Sequence, residues 1–384
     1  MDIQQKLNLL GGLTPEQFMR RHWQKKPLLI RRAFDPADPR LALAPEALFA
    51  MAQQGGVQSR RVQLKPGKSG SKWDLAEGPF APGSLPPLTQ AGWTLLVQGV
   101  DLLHPPVHDL LQAFRFVPDA RLDDVMVSYA TDGGGVGPHF DSYDVFLLQA
   151  SGQRLWDISA QKNLALLEDL PLKILREFSA EQSFVLEPGD MLYLPPRYAH
   201  HGLAVGDCMT YSVGYRAPSR KELAQELLAR LADQAFDDEP VAAAMYRDTT
   251  QPAVTQPAAI PPALQDFAQA ALQRFLQDPR NTQRALGEYL TEPKPQVWFD
   301  AAEPGAGAAR PASLVLDRRT RMMYDDQHIY INGEAFRASG RDATLIRSLA
   351  DERGLPAAQR ARLSSGAAEL LLVWLEAGWL HERA

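Results

Sequence analysis

Six short segments with strand-forming composition follow one another between residues 125 and 216, and they constrain the fold more than any other feature. They are rich in β-branched and aromatic residues and are punctuated by Gly and Pro, a pattern typical of short strands separated by turns. Such a series predicts a β-sandwich or barrel, of which the jelly roll is one form. The segments are VMVSYA, DVFLLQA, RLWDIS, SFVLEP, DMLYLPP and CMTYSVGYR.

Length and composition place these strands in a globular protein of more than one domain. The 384 residues suit two or three domains, and 45% of them are apolar. The single cysteine, Cys208, excludes an internal disulfide and a thiolate metal cluster and is typical of a reducing compartment. The N-terminal sequence MDIQQKLNLLGGLTPEQF does not have the pattern of a signal peptide, and no apolar run is long enough to span a bilayer. We therefore predict a cytoplasmic protein.

Helical patterns flank the strand-rich region. Before it, TPEQFMRRHWQKKP predicts a helix that is capped by Thr14 and begins at Pro15. After it, Ser219 and Glu222 form a capping-box pattern ahead of an amphipathic stretch, and two more helices are expected at 264–275 and 281–290, after a Pro/Ala/Thr-rich linker at 249–262. These helices must bury their apolar faces on the barrel or on a second copy of the chain. The second alternative implies a homodimer.

The last part of the chain follows the stretch EPGAGAARPA and combines strands with helices. LVLD and HIYI read as strands, Asn332-Gly333 is a hairpin signal, and two helical patterns follow. This order resembles a winged-helix module. From Thr291 to Ala384 there are 12 Lys or Arg residues against 13 Asp or Glu, whereas DNA-reading modules are usually basic. We predict domains at 1–218, 219–292 and 293–384, and no direct nucleic-acid reading by the last one.

The segment GGGVGPHFDSYDVFLLQASGQRLWDI contains His139-Phe140-Asp141. On a strand, residues i and i+2 point to the same face, so that this imidazole and this carboxylate can converge on one ion. A third ligand from a later strand would complete a facial triad with open positions, as non-haem Fe(II) oxygenases use. The stretch EPGDMLYLPPRYAHHGLAV offers His200 and His201 for that position.

A His-x-Asp pair alone also arises by chance, with the Asp merely orienting the His. Three further features favour a metal site. A Gly-rich run from Gly133 to Gly137 permits close backbone approach before His139, Arg154 supplies a positive charge on the next strand, and a second His follows the Gly-Asp-x-Leu-Tyr-x-Pro-Pro element.

His139-x-Asp141, together with GDMLYLPPRYAHHG and MTYSVGYRAPS, resembles the JmjC oxygenases. Within that group it resembles the bacterial ribosomal oxygenases, the YcfD/RoxA-like arginine hydroxylases of a large-subunit ribosomal protein. The resemblance covers most of the chain. It implies a double-stranded β-helix of the cupin or jelly-roll type at 1–218, a helical dimerisation region at 219–292, and a winged-helix-like α+β module at 293–384.

The resemblance also implies cofactors and roles for individual residues. Fe(II) would be held by His139, Asp141 and His200, because the family's distal ligand follows the Pro-Pro element at the position of His200. The family binds 2-oxoglutarate as cosubstrate, and Arg154 matches the residue that holds its far carboxylate, as a guanidinium can do with two hydrogen bonds. Thr210 occupies a position near the cosubstrate.

The implied substrate is an arginine side chain of a large-subunit ribosomal protein, and the acidic balance of the chain, −6, agrees with a basic partner. Asp132 is a candidate partner for the guanidinium and Tyr143 a candidate packing neighbour, although Asp132 would equally suit a turn before the glycines. Two alternatives share the motif: hydroxylation of histidine or demethylation of lysine in another protein. A third, of another class, is a non-catalytic cupin that serves as a binding module.

Overall fold

The computed structural model describes residues 2–67, 70–237, 245–247, 249, 252, 258, 260–276, 279–301 and 312–383. Most of the linker predicted at 249–262 and nearly all of EPGAGAARPA lie outside the described residues. The chain forms two compact units, Met1–Ala217 and Pro218–Ala384. Among the described helices, none is both long and apolar enough to cross a membrane.

The described residues of the first unit form four short α-helices. Thr14 caps the first of them as predicted: its hydroxyl accepts a hydrogen bond from the Gln17 amide, and the Gln17 side chain accepts one from the Thr14 amide. Pro15 is its first residue, where a missing N–H costs nothing. The helices are α1 (Pro15–Arg21), α2 (Pro45–Met51), α3 (Val100–Leu103) and α4 (Pro105–Gln112).

One nine-stranded antiparallel sheet forms the body of the first unit. Eight strands follow the order β1-β8-β6-β9-β5-β4-β2-β3, and β7 pairs with β6. Non-consecutive neighbours of this kind are expected of a jelly roll, and they bring residues from distant parts of the sequence onto one inner face. The strands are β1 (Leu28–Ile30), β2 (Ser59–Gly67), β3 (Gly70–Glu77), β4 (Trp93–Val97), β5 (Leu122–Ala130), β6 (Val145–Ser159), β7 (Gln182–Leu186), β8 (Met191–Leu194) and β9 (Ala199–Tyr215).

The strand boundaries differ from the sequence prediction at two places. DVFLLQA and RLWDIS are not separate strands but belong to the single strand β6, and CMTYSVGYR is the end of the longer strand β9. The Ser151-Gly152 pair that suggested a turn instead coincides with two shifts of register in the β6–β9 ladder. Gly152 has a φ of 63°, and a Cβ there would lie 2.1 Å from the Asp207 carbonyl oxygen. Glycine therefore lets the ladder continue through an irregularity that other residues would break.

A cluster of buried aromatic rings packs α1 against this sheet. Phe18 of α1 contacts Phe146 of β6 and Tyr193 of β8, with ring centroids 5.4 Å and 4.9 Å away. The same cluster buries Asp144, whose carboxylate accepts hydrogen bonds from the Tyr193 hydroxyl at 2.6 Å and from Gln24 at 3.1 Å. The residue before β6, and hence the segment that follows His139, is thereby fixed to the core.

Within the described residues, the second unit begins with three helices and ends with a small α+β fold. The predicted capping box is present, because Ser219 and Glu222 exchange side-chain to backbone hydrogen bonds. The helices are α5 (Arg220–Asp237), α6 (Pro262–Leu276), α7 (Pro279–Thr291), α8 (Gly340–Glu352), α9 (Ala357–Arg360) and α10 (Ser365–Glu376).

Two three-stranded sheets complete the second unit, in the orders β14-β10-β15 and β11-β12-β13. The predicted Asn332-Gly333 turn joins β12 to β13 with positive φ at both residues, 48° and 89°. Trp374 is fully buried in the core of this part, and Trp379 packs against that core. The strands are β10 (Ser313–Leu316), β11 (Met322–Tyr324), β12 (His328–Ile331), β13 (Glu334–Arg337), β14 (Gly354–Leu355) and β15 (Leu380–Arg383).

Candidate active site

A cavity of about 260 Å³ opens on the inner face of the nine-stranded sheet. Alternate residues of β4, β5 and β9 line it, because successive side chains of a strand point to opposite faces. Polar groups lie at both ends, and a group of three potential metal ligands lines it as well. Among the lining residues are Thr94 and Leu96 of β4 with the following Gln98, then Asp124, Met126 and Ser128 of β5, then Thr210, Ser212 and Gly214 of β9.

The three potential ligands are His139, Asp141 and His200, with one nitrogen or oxygen of each lying within 4.8 Å of those of the others. Nε2 of His200 lies 3.7 Å from Oδ2 of Asp141, and the two imidazole centroids are 4.2 Å apart. His139 does not belong to a strand. It forms an isolated bridge with His200, in which each amide donates to the carbonyl of the other residue at 2.8–2.9 Å.

Hydrogen bonds to the backbone fix both imidazoles for metal binding. Nδ1 of His139 lies 2.9 Å from the Gly137 carbonyl oxygen, and Nδ1 of His200 lies 2.9 Å from that of Tyr198. Because a carbonyl oxygen only accepts, each Nδ1 must carry the proton and each Nε2 must present its lone pair. This support of the ring from its far side is the arrangement usual for metal-bound histidines.

Burial keeps the His200 imidazole neutral. Loss of solvent and, next, the neighbouring His139 lower the pKa of His200 to about 4, against the opposing effect of Asp141. A neutral imidazole is the form that binds a metal. Two imidazole nitrogens and a carboxylate on one side of a cavity therefore fit a divalent cation that keeps further coordination positions open.

His201 lies on the opposite face of β9 from His200. Its ring packs edge-on against Phe178, with centroids 6.3 Å apart, and it does not line the cavity. Between the two histidines that the sequence left open, the structure brings His200 to His139 and Asp141.

Arg154 lies in the same cavity and is only 3% exposed. Its Nη2 donates to the Gly202 carbonyl oxygen at 3.3 Å, its Nη1 donates to the Ser128 hydroxyl at 3.5 Å, and its guanidinium lies over the Trp156 ring. No carboxylate pairs with it in the part of the chain that the structure describes, and its Nε has no hydrogen-bond partner there. Burial lowers the pKa of this guanidinium. A buried cation without a counter-ion is costly, so that this end of the cavity favours an anionic ligand.

Thr210 lines the cavity beside Arg154, but its hydroxyl already has a partner. Its Oγ1 donates to Oε1 of Gln149 at 3.0 Å, and the Gln149 amide nitrogen in turn donates to the Ser151 carbonyl oxygen.

The two predicted substrate residues lie in different surroundings. Tyr143 lines the cavity and is 39% exposed, and desolvation together with the nearby Asp141 raises the pKa of its hydroxyl. Asp132 is exposed, does not line the cavity, and accepts a hydrogen bond from the Gly206 amide at 2.8 Å. The structure therefore brings Tyr143, but not Asp132, to the metal-ligand group.

Two acidic residues that sequence reasoning missed line the cavity, Asp123 and Asp124 at the start of β5. Asp124 is only 2% exposed and accepts a hydrogen bond from Gln98, while Asp123 accepts one from Arg216. The spacing in LDDVMVSYA puts Asp124 and Ser128 on one face of β5, but only the contact of Ser128 with Arg154 shows that this face points into the cavity.

The sheet and its ligand group define the class of JmjC cupin proteins. A JmjC domain model matches residues 109–223, and a ROXA-like winged helix model matches residues 274–381. The chain is 33% identical over 343 residues to "Ribosomal protein uL16 3-hydroxylase" of Escherichia coli, covering 85% of this chain and 86% of that one. It therefore belongs to the JmjC family of ribosomal oxygenases.

Other relatives agree with this assignment. The chain is 37% identical to "Probable ribosomal oxygenase" of Haemophilus influenzae over 217 residues, covering 55% of this chain and 52% of that one. An X-ray structure of E. coli YcfD matches with a TM-score of 0.79 and 30% identity over 97% of this chain and 98% of that one. The predicted fold class, a JmjC cupin followed by helices and a winged helix, is thereby confirmed.

Proposed function

We propose that this chain is an Fe(II)- and 2-oxoglutarate-dependent oxygenase that hydroxylates an arginine side chain of a large-subunit ribosomal protein. The observation that carries the proposal is the placement in one cavity of a His-Asp-His group able to bind a metal and a buried guanidinium that has no carboxylate partner among the described residues. The structure of E. coli YcfD in complex with cobalt and 2-oxoglutarate supports it, since its fold matches this chain with a TM-score of 0.75 and 29% identity over 97% of the chain.

His139, Asp141 and His200 would hold the iron from one side of the cavity. When bound, Fe(II) with 2-oxoglutarate and dioxygen would supply the oxidising power to insert one oxygen atom into an unactivated C–H bond, with release of succinate and CO2. The chain's own part is to keep the His200 imidazole neutral and to orient both imidazoles through the Gly137 and Tyr198 carbonyls.

Arg154 would bind the far carboxylate of 2-oxoglutarate. A guanidinium holds a carboxylate with two hydrogen bonds in one plane, which an ammonium cannot do. Stacking on Trp156 and the bond to the Gly202 carbonyl fix its orientation, and its burial excludes water that would compete for the carboxylate. Thr210 would lie near the cosubstrate, as the family resemblance implies.

The opposite end of the cavity suits a cationic side chain. Asp123 and Asp124 place two carboxylates there and Tyr143 adds an aromatic ring, so that a guanidinium entering this end meets both charge and stacking partners. We infer that Asp124, which lines the cavity, is a better guanidinium partner than Asp132, which does not. The named activity of the E. coli relative towards uL16 makes a large-subunit ribosomal protein the first substrate to test.

The remaining domains would support this activity. We propose that residues 219–292 dimerise the chain and that residues 293–384 contact protein rather than DNA. Apolar residues exposed on α5 and α6, such as Leu228 and Leu272, support the first point. A ribosomal protein as substrate would place the chain in the cytoplasm.

The test is to incubate the protein with Fe(II), 2-oxoglutarate, oxygen and peptides from basic ribosomal proteins, beside an Asp141→Ala variant. Formation of succinate with an oxidised arginine peptide, both lost in the variant, supports the proposal. An oxidised histidine or a demethylated lysine assigns the alternative JmjC activities. A protein that neither binds iron nor consumes 2-oxoglutarate is a non-catalytic cupin, and the proposal is then wrong.

A further inference from the structure

Four Ser or Thr side chains of β4, β5 and β9 line the cavity, those of Thr94, Ser128, Thr210 and Ser212. Ser212 lies two residues beyond Thr210 on β9, away from the Ser128–Thr210 pair, of which Ser128 contacts Arg154. The other three differ in whether the hydroxyl proton is already donated to an acceptor of the protein. Thr210 donates its proton to Gln149, and Ser128 donates to the Thr210 carbonyl oxygen at 3.4 Å while it accepts from Arg154. Both protons are therefore engaged with protein acceptors. Because a carboxylate only accepts, either hydroxyl would have to give up an existing hydrogen bond in order to donate to it.

Thr94 is the exception. Its side chain is fully buried, and its Oγ1 has no hydrogen-bond partner among the described residues. A buried hydroxyl without a partner costs about 1–3 kcal/mol and calls for an explanation. Its proton is free to be donated to a ligand in the cavity that Thr94 lines.

The Gly-rich loop places Thr94 next to the Arg154 end of the cavity. A Cβ on Gly134 would lie 3.1 Å from Oγ1 of Thr94, and a Cβ on Gly135 would lie 2.5 Å from the carbonyl oxygen of Gly202. That same Gly202 oxygen accepts the hydrogen bond from Arg154. Thr94 and Arg154 thus lie on either side of two consecutive glycines, which leave room for their polar groups.

We propose that the Thr94 hydroxyl donates a hydrogen bond to the far carboxylate of 2-oxoglutarate, alongside the Arg154 guanidinium. This inference rests on the proposed function and deepens it. It assigns the donor hydroxyl to β4 and gives Thr210 a different role, which is to hold Gln149 in place through the bond that it already makes.

The test compares Thr94→Val, which replaces the hydroxyl by a methyl group of the same shape, with Thr94→Ser, which keeps it. Thr131→Val is a matched control, because Thr131 is equally buried, bonds the Trp93 backbone and does not line the cavity. Binding is measured without oxygen by isothermal titration of the Mn(II)-loaded full chain with 2-oxoglutarate. A second titration uses 2-oxobutanoate, which lacks the far carboxylate.

We expect Thr94→Val to raise the Kd for 2-oxoglutarate by about tenfold, the usual effect of one hydrogen bond to a charged group. Its Kd for 2-oxobutanoate should equal that of the wild type, and Thr94→Ser and Thr131→Val should bind both ligands as the wild type does. Equal losses for both ligands would mean general damage to the site and would overturn the assignment. An unchanged Kd for 2-oxoglutarate in Thr94→Val would also overturn the assignment. A loss of 2-oxoglutarate affinity that appears only in a Thr210→Val variant would do the same. If the wild type itself does not bind 2-oxoglutarate, the proposed function fails rather than this inference alone.

Discussion

Nε2 of His200 lies 3.7 Å from Oδ2 of Asp141, although one residue belongs to β9 and the other to the segment before β6. The reciprocal backbone bonds between His139 and His200 hold these two parts of the chain together. The backbone therefore holds the two side chains close together, and the affinity for a metal should depend on which face of β9 carries the imidazole.

The neighbouring histidines His200 and His201 offer a matched pair of variants that tests which face of β9 carries the metal ligand. We expect His200→Ala to weaken Mn(II) binding by more than about 100-fold, because even the loss of a residue that supports a ligand costs about 10–100-fold. His201→Ala should bind Mn(II) as the wild type does, since that side chain faces Phe178. Titration followed by electron paramagnetic resonance measures both. Equal losses in the two variants would show that the ligand face of β9 has been misassigned.

Gly202 controls the position of Arg154. A Cβ on Gly202 would lie 2.8 Å from Nε of Arg154 and 2.7 Å from the Trp156 ring, both closer than real contacts allow. We expect Gly202→Ala to displace the guanidinium and to raise the KM for 2-oxoglutarate at least about tenfold, with Mn(II) affinity retained. Gly55→Ala is the control, because its Cβ would meet open space. A KM that stays at the wild-type value would show that Arg154 does not bind the cosubstrate.

Much of this architecture could be predicted because strand composition, turn residues and capping boxes are local signals. The Thr14 cap, the Asn332-Gly333 turn and the winged helix are of that kind. The single strand β6 could not be predicted, since Ser151-Gly152 reads as a turn and only the pairing with β9 shows it to be a register shift. Asp124 was missed for a related reason. Its inward direction follows from the register of β5 against β9, which depends on residues about 80 positions away.

Asp124 should decide the recognition of a cationic substrate. We expect Asp124→Asn to raise the KM for an arginine-containing ribosomal peptide by about tenfold or more, because a charged hydrogen bond becomes a neutral one. The KM for 2-oxoglutarate should not change, since Arg154 lies elsewhere in the cavity. The measurement is peptide hydroxylation followed by mass spectrometry at varied peptide concentration.

Asp132→Asn provides the comparison for that experiment. Its side chain lies outside the cavity, and an amide oxygen can still accept the bond from the Gly206 amide. We expect both KM values to stay at the wild-type level. If Asp132→Asn impairs the peptide reaction and Asp124→Asn does not, the loop before the glycines, and not β5, contacts the substrate.

The second unit should lose stability in acid through Asp317, which is only 4% exposed. Burial by itself would raise the pKa of this carboxyl. Hydrogen bonds from the Arg319 side chain and backbone and from His381, each at 2.8 Å at its shortest, outweigh burial and hold the pKa well below its ordinary range. A depressed pKa means that the unfolded chain binds more protons. The stabilisation is therefore complete above the ordinary Asp pKa of about 4 and is lost as the pH falls from there towards the folded value.

We expect Asp317→Asn to lower the free energy of unfolding of this unit by about 1–3 kcal/mol at pH 7, the range for one buried charged hydrogen-bonding group. The difference from the wild type should shrink as the pH falls below about 4, because protonation then removes the same charge from the wild type. Asp326→Asn is the control, since Asp326 is exposed and its substitution removes the same charge. Calorimetric unfolding of the full chain across this pH range measures the effect. A difference that stays constant with pH would mean that Asp317 stabilises the unit through its shape and not through its charge.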